Sequence, residues 1–326
     1  MGEARPHGPN EMAERSIKRG GGRKAASRPL TPHPSPPIPG ARRAPRTLHA
    51  GPFRLPLGRT PLLMGVVNVT PDSFSDGGRY LEPTAAIRHG VRLAHEGAAI
   101  LDLGAESTRP GAAPVAADEQ LRRLLPVVRG LVDAVAVPLS IDTTSAAVAA
   151  ACLEAGATMV NDISGLTFDR EMAAAVAATD AALVLMHCPA PPAQMQAHAH
   201  YDDVVVEVGA ALAASVARAE EAGIGRDRLV VDPGLGFGKT ADHNWDILRH
   251  LDALADLGLP RLIGASRKSF IGIALGDEKG GVPAADRLEG SLAVAMWCAL
   301  VGVELLRVHD VDATARVLKM TEILMS

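Results

Sequence analysis

Polar and charged residues stand where the short apolar runs of this sequence stop. In chain order they are Asn68, then Glu106, Thr108 and Arg109, then Asp142, Asn161 and Asp162, His187, Asp232, Arg267 and Lys268, and finally Arg307, His309 and Asp310. They divide by chemistry. Asp142 (in LSIDTT), Asn161 (MVNDIS) and Asp232 (VVDPGLG) lie in apolar contexts, where an acceptor is costly to bury without a donor. A flat ligand carrying several N–H groups would supply the donors. Each could instead cap a following helix or close a turn. Lys268, Arg307 and His309 form a cationic counterpart suited to an oxyanion, although Arg267 and Lys268 could equally pair with acids on helices. One polar residue at a strand end is ordinary, so the ring means something only if a fold brings these ends together.

The runs that must do so are LLMGVVNV (62–69), AILDLG (99–104), PLSID (138–142), TMVNDI (158–163), ALVLMH (182–187), RLVVDP (228–233), RLIGAS (261–266) and VELLRVHD (303–310). Helical stretches alternate with them: Thr84 to Glu96, Glu119 to Val132, Ser145 to Ala155, Tyr201 to Ala222, Ala285 to Leu300 and Asp312 to Leu324, with Asp118, Ser145, Asp202 and Asp312 as N-cap candidates. Eight β/α units in this length predict an α/β fold of the (β/α)8 TIM-barrel type. A doubly wound open sheet also alternates β and α, but would need no eighth strand to close. In a barrel, the polar ends converge on the C-terminal mouth, and the last two strands often bind phosphate there.

Two connections, TPDSFSDGGRY (70–80) and ESTRPGAAPV (106–115), are long and rich in Gly, Pro and Ser, as lids or surface linkers are. Two motifs fail on inspection. In DPGLGFGKT a phosphate-binding GxxxxGK[ST] loop would need glycine at Pro233, and a GxGxxG fingerprint would need it at Lys239. His187, His198 and His200 lack the spacing of a usual metal set and read as a surface cluster.

Composition narrows the function further. Aromatics are 3% of 326 residues, too few for a base-stacking surface. Residues 1–49 hold ten Lys or Arg against three Glu, or +7, which leaves −11 on the rest of a chain whose total is −4. A net-acidic body argues against nucleic-acid binding. No run reaches eighteen apolar residues and no apolar secretory leader is present, so no membrane partner is expected and a cytoplasmic setting is. Cys152, Cys188 and Cys298 read as reduced core thiols. Residues 1–50 carry nine of the 24 prolines and a GGG run, which predicts a disordered Arg/Pro/Gly-rich extension, with the barrel domain at 51–326.

The motifs LMGVVNVTPDSFSDGG, LDLGAESTRPGA, SIDTT, VNDISG, LVLMH, DPGLGFGKT, GASRKSFIG, RLEGSLA and RVHD, spread over residues 62–324, together resemble dihydropteroate synthase, a pterin-binding TIM-barrel family of folate biosynthesis. The resemblance implies a cytoplasmic homodimeric transferase, sensitive to sulfonamides. It would condense 6-hydroxymethyl-7,8-dihydropterin diphosphate with 4-aminobenzoate, releasing 7,8-dihydropteroate and diphosphate, with Mg2+. By the same resemblance, Asp142, Asn161, Met186, Asp232 and Lys268 would bind the pterin. Asn68, Arg307 and His309 would bind the diphosphate, and Asn68 the Mg2+. Phe74, Thr108, Arg109, Pro110 and Ser269 would bind the aminobenzoate. Catalysis would fall to Asp142, Asp232, Lys268, Arg307 and His309. One departure is Ala190 in MHCPAPPAQMQ (186–196), where the family commonly has glycine; a backbone needing positive φ there would force the loop to be rebuilt. A folate-dependent methyltransferase domain and a pterin-binding paralogue without turnover are the competing readings.

Overall fold

A computed structural model describes residues 1, 46–58, 60–70, 82–106, 114–276 and 281–325. The apolar runs become strands with little or no exposed face, as parallel strands covered by helices must be. They are β3 (Leu62–Asn68), β4 (Ile100–Gly104), β5 (Leu139–Asp142), β6 (Met159–Asp162), β7 (Ala182–Met186), β8 (Leu229–Asp232), β9 (Leu262–Ile263) and β10 (Leu305–Val308). All pair in parallel, in the order β8-β7-β6-β5-β4-β3-β10-β9. A further parallel bridge, Val231 to Arg261, brings the two ends of the sheet together, so the strands form the expected (β/α)8 barrel rather than an open sheet.

The closing strand β9 has only two residues, and a buried ion pair strengthens its seam. Arg261, fully buried, donates through its backbone N (3.0 Å) and Nε (3.1 Å) to Glu304 Oε2, and through Nη1 to the Leu251 carbonyl (2.8 Å). Removing either partner would strand a buried charge, a loss of about 3–5 kcal/mol.

Side-chain alternation along each strand separates two cores. One set, including Leu101, Leu139, Val160, Leu183 and Leu306, packs outward under the helices. The other points into the barrel, where Met64, Ile100, Met159, Ala182, Val184, Val230, Leu262 and Leu305 cluster. Into that inner cluster a hairpin of β1 (Arg46–Ala50) and β2 (Phe53–Leu57) inserts Leu48, Ala50 and Leu57. The hairpin corrects the expected domain boundary, because residues 46–50 are ordered as the first strand of a barrel plug. The burial of alternate residues Leu48 and Ala50 along β1 gives the reason: these apolar side chains find a partner inside the barrel. The remainder of the predicted extension lies outside the described residues.

The helices are α1 (Glu82–His95), α2 (Ala117–Val132), α3 (Ala146–Glu154), α4 (Met172–Ala177), α5 (Val204–Glu221), α6 (Ala241–Arg249), α7 (Ser269–Leu275), α8 (Leu288–Leu300) and α9 (Val311–Met325). The sequence pattern anticipates α1, α2, α3, α5, α8 and α9. It misses α4, α6 and α7, which at six, nine and seven residues are shorter than the window in which periodicity is diagnostic; α3, also nine residues, is marked by the Ser145 cap that opens it. Ser145 caps α3 as expected. Asp203, not Asp202, caps α5, accepting from the Val205 and Val206 amides. Asp118 and Asp312 lie inside their helices' first turns, where they complement the macrodipole rather than cap. Among the described residues no helix is long and apolar enough to cross a membrane.

Candidate active site

The alternation that builds the lower inner core also builds the site. Two residues beyond Ile100 along β4 is Asp102; on β5 and β6 the inward positions above the core are Ser140, Asp142 and Asn161; on β7, β8 and β10 they are Met186, Asp232 and Arg307. Asp102 and Ser140 are register partners, as are Asp142 and Asn161. The barrel interior therefore changes from hydrocarbon to charge within about one residue pair, at the height where the strands end.

Arg307 is the hub. Its Nε donates to Asp102 Oδ2 (2.6 Å), its Nη2 to Asp142 Oδ2 (2.7 Å), and Asn161 Nδ2 donates to the same Asp102 oxygen (3.1 Å). Burial works against the guanidinium's charge, but Asp102 and Asp142 outweigh it and hold its pKa above the ordinary value. Burial likewise pushes Asp142 up to about 7, against the pull of Arg307. The cluster is incomplete. Asp102 Oδ1, Asn161 Oδ1 and Ser140 Oγ are buried and lack a hydrogen-bond partner among the described residues. Such groups are expensive to leave unpaired, so this floor is built to receive donors.

Across the mouth, Asp232 is 5% exposed. Its Oδ1 accepts from the Gly234 amide (2.7 Å), and burial raises its carboxyl, with Lys268 the principal opposing charge. Lys268 precedes α7 and sends Nζ to the Leu235 carbonyl and over the Phe237 ring, 4.6 Å from its centroid. Burial pulls this amine down to about 8. Met186, Ile163, Cys188, Met195 and Phe237 form a separate buried apolar cluster that walls the side between β7 and the loop after β8. A flat heterocycle would thus meet acceptors at its edge and sulfur and aromatic carbon on its face.

His309 is more passive than a cation. Its backbone N (3.2 Å) and Nδ1 (3.1 Å) both meet Ser266 Oγ. Burial, then Arg307 and Arg267, lower it to about 4, so the ring is neutral near pH 7. This corrects the sequence-based grouping of His309 with the cations. A hydroxyl that accepts from the backbone can donate its own proton to Nδ1, which leaves Nε2 as an N–H donor. Asn68 ends β3 at an inward position with its side chain exposed, and Ser269 is exposed as the first residue of α7.

Other members of the expected ring are engaged by protein partners. Asp162, of opposite parity to Asn161, accepts from the Ser164 amide (2.8 Å), the Ser164 hydroxyl (2.7 Å) and the Leu166 amide (2.7 Å), and so ties a turn. Arg267, at φ 60°, pairs with Asp310 through Nε (2.9 Å), which realises the acid-pairing alternative for Arg267 but not for Lys268. Glu106 accepts from Gln120 Nε2 (3.0 Å). His187 Nδ1 meets Lys239 Nζ at 3.0 Å behind the site. Phe74, Thr108, Arg109 and Pro110 lie outside the described residues. Ala190 is buried at a backbone φ that is not positive, so the loop after β7 needs no glycine there.

Asp102 and Phe237 line the candidate site but are not marked by the sequence pattern. Asp102 lies within the run AILDLG rather than at its end, yet strand parity would have exposed it. Counting back by two from the mouth, it shares the inward face with Ile100. Phe237 sits in the discarded glycine-rich motif and carried no separate signal.

The family model described as "Pterin binding enzyme" matches residues 64–309. A dihydropteroate synthase of Mycobacterium leprae is 48% identical over 259 residues, covering 79% of this chain and 91% of the relative. Among solved structures, the Xanthomonas albilineans dihydropteroate synthase with 4-aminobenzoic acid superposes with a TM-score of 0.80 at 44% identity, covering 87% of this chain and 99% of that one. The Yersinia pestis dihydropteroate synthase in a sulfonamide drug complex gives 0.79 at 40% identity, covering 85% and 98%.

Proposed function

The chain belongs to the dihydropteroate synthase family of pterin-binding enzymes, and from that premise we propose how its own residues divide the reaction. The activity is a transferase step of folate biosynthesis: 6-hydroxymethyl-7,8-dihydropterin diphosphate and 4-aminobenzoate give 7,8-dihydropteroate and diphosphate. The observation that carries the assignment of roles is the incomplete floor around Arg307, where Asp102 Oδ1 and Asn161 Oδ1 lack donors among the described residues.

In this proposal the pterin's N–H edge lies between Asp142, Asn161 and Asp232, with Met186 against its face and Lys268 at its rim. Arg307, His309 and Asn68 receive the diphosphate. Arg307 already spends Nε and Nη2 on Asp102 and Asp142, so it meets the anion through Nη1, or by exchanging a carboxylate for it once Asp142 turns to the ligand. Asp102 never needs to touch the pterin to matter, because it fixes both Arg307 and Asn161. Departure of the diphosphate leaves positive charge on the pterin methylene, delocalised into the ring. Asp142 and Asp232 stabilise that cation, while Arg307, Lys268 and the N–H of neutral His309 stabilise the leaving anion. The arylamine is already a nucleophile, so no strong base is assigned. The loops carrying Phe74, Thr108, Arg109 and Pro110, with Ser269, take the aminobenzoate, and its sulfonamide mimics would occupy the same place.

Mg2+ fits this donor set only in part through protein. Asp102 and Asp142 are engaged by Arg307, and Asn68 offers one exposed neutral oxygen. That is ordinary for an ion that keeps several waters and leans on substrate phosphates. Asn68 would hold it, and the ion would neutralise charge on the departing diphosphate.

We also propose a homodimer. Ile273 and Leu275 of α7, Met296 of α8 and Met320, Ile323 and Leu324 of α9 are exposed, beside an apolar groove between α6, α7 and α8 that includes Trp245 and Trp297. A second copy covering this face would remove an unusual amount of apolar surface from water. Ile273→Glu should then shift the molecular mass in light scattering to that of a monomer. A cytoplasmic setting accords with three buried free cysteines.

The test of the activity is product formation by the purified full-length chain with pterin diphosphate, Mg2+ and 4-aminobenzoate. Diphosphate release that depends on aminobenzoate is expected. Pterin diphosphate binding without release would instead identify a non-catalytic paralogue.

A further inference from the structure

The glycine-rich segment after β8 makes no nucleotide loop, yet its lysine is almost fully buried. Lys239 is 4% exposed. Its Nζ reaches the Gly234 carbonyl (3.0 Å), the Phe237 carbonyl (3.1 Å) and His187 Nδ1 (3.0 Å). Three acceptors match the three N–H bonds of an ammonium, which offsets part of the burial that pulls this amine down to about 7. For His187 to accept at Nδ1 it must be neutral, and burial with the adjacent Lys239 charge pushes it down to about 3. The amine therefore turns inward, onto its own loop, where a phosphate-binding lysine would turn outward.

Every carbonyl of this loop has a named donor. Gly234 takes Lys239 and the Phe237 amide (3.1 Å), Leu235 takes Lys268, Gly236 takes Gln196 Nε2 (3.3 Å), Phe237 takes Lys239, and Gly238 takes the Tyr201 hydroxyl (3.0 Å). The path that presents these carbonyls requires glycine. Gly234 and Gly238 have φ of +68° and +54°, and a Cβ would lie 2.0 Å from the His187 carbonyl oxygen and 2.4 Å from Pro189 Cγ respectively. Two lysines thus hold the loop from opposite sides. Lys239 grips it from behind, and Lys268 rests on its outer carbonyl and on the Phe237 ring.

We propose that Lys239 is a positioning residue for the pterin site: its buried amine sets the Gly234–Gly238 loop so that the Leu235 carbonyl and Phe237 ring fix the Lys268 amine at the rim. This deepens the reading above and rests on it. Lys239 itself touches no substrate.

The experiment compares wild type, Lys239→Met and Tyr201→Phe in steady-state kinetics, with full-length protein and both substrates. Lys239→Met keeps the length and removes all three hydrogen bonds. It is expected to raise KM for pterin diphosphate roughly tenfold, while KM for aminobenzoate at saturating pterin stays within about twofold. The alkaline limb of kcat/KM for pterin diphosphate, governed by Lys268, should move upward as that amine becomes better solvated. A purely structural lysine would lower Tm and leave the KM split and the limb in place. Tyr201→Phe, which releases only Gly238, should shift the same two readouts in the same direction by less, and it serves if Lys239→Met does not fold. An active wild type, with both readouts unchanged in whichever variants fold, would overturn the inference alone. An inactive wild type would overturn the functional reading beneath it.

Discussion

The two halves of the barrel interior are made by the same strands and the same alternation, yet they solve opposite problems. The lower half is filled by Met64, Ile100, Met159, Val184, Val230 and Leu305 and sealed by Leu48 and Leu57 from the hairpin. The upper half carries Asp102, Asp142, Asn161, Asp232 and Arg307 at the next inward positions, with buried acceptors left unpaired. Close packing below makes the strand ends rigid, and rigidity is what allows unpaired polar groups above to persist without collapsing onto one another. Mutations in the two halves should therefore separate activity from stability.

The sharpest contrast sets Arg307→Ala against Met159→Ala. Removing Arg307 deprives the leaving diphosphate of a cation and leaves Asp102 and Asp142 buried side by side. A loss of roughly 10³-fold in kcat/KM is expected, with a native circular-dichroism spectrum. Met159→Ala should cost about 2–5 kcal/mol in urea unfolding, while the folded fraction turns over within about twofold of wild type. If Met159→Ala instead abolished turnover at full folding, the two halves would not be independent. Asp102→Asn comes next. It preserves shape but removes the charge that holds Arg307 and Asn161, and kcat/KM for pterin diphosphate should fall roughly 10²-fold. Little change in KM for aminobenzoate at saturating pterin would distinguish positioning of the pterin end from general damage.

This contrast also shows what the sequence made legible. The eight runs, their order and the ring at their ends were readable because buried parallel strands are nearly continuous apolar segments, and all eight strands of the barrel fall within them. Asp142, Asn161, Asp232 and Arg307 stood out as the polar break in each run. Asp102 did not, because a run that continues past a carboxylate hides it unless inward and outward positions are counted separately. Asp162 was misplaced by the same neglect of parity. The hairpin at 46–57 is hidden for a different reason: its two five-residue strands do alternate (Leu48 and Ala50; Phe53, Leu55 and Leu57), but runs this short beside a proline-rich tail are ambiguous by pattern alone, and their order comes from the barrel they plug. The neutrality of His309 is likewise a property of its surroundings, since burial and two arginines set it and no motif records them.

Titration should sharpen the upper half alone. Asp142 must be ionised to accept from the pterin, and burial raises it to about 7, so that function is lost as pH falls through 7. Lys268 must be protonated to face an anion, and burial lowers it to about 8, so that function is lost as pH rises through 8. The profile of kcat/KM for pterin diphosphate should be a narrow bell between these values, falling about tenfold per pH unit well outside it. Lys268→Arg should remove the alkaline limb while the acid limb stays. Met159→Ala should shift neither.

The smallest effect is expected at the far end of the chain, and its size depends on where the cut is made. Residues 1–45 supply none of the named side chains of either half, so deleting them should leave kcat/KM within about twofold. Extending the deletion through Leu57 removes Leu48, Ala50 and Leu57 from the lower core and exposes the inward faces of Met64 and Val230. Leu48 and Leu57, lost from that plug, each forfeit about 1.5–3 kcal/mol of burial, so the second truncation should melt well below the first. A deletion of residues 1–45 that by itself cost an order of magnitude in kcat/KM would show that the basic segment reaches the mouth. The two ends of the barrel would then be joined through the chain's own N-terminus as well as through its strands.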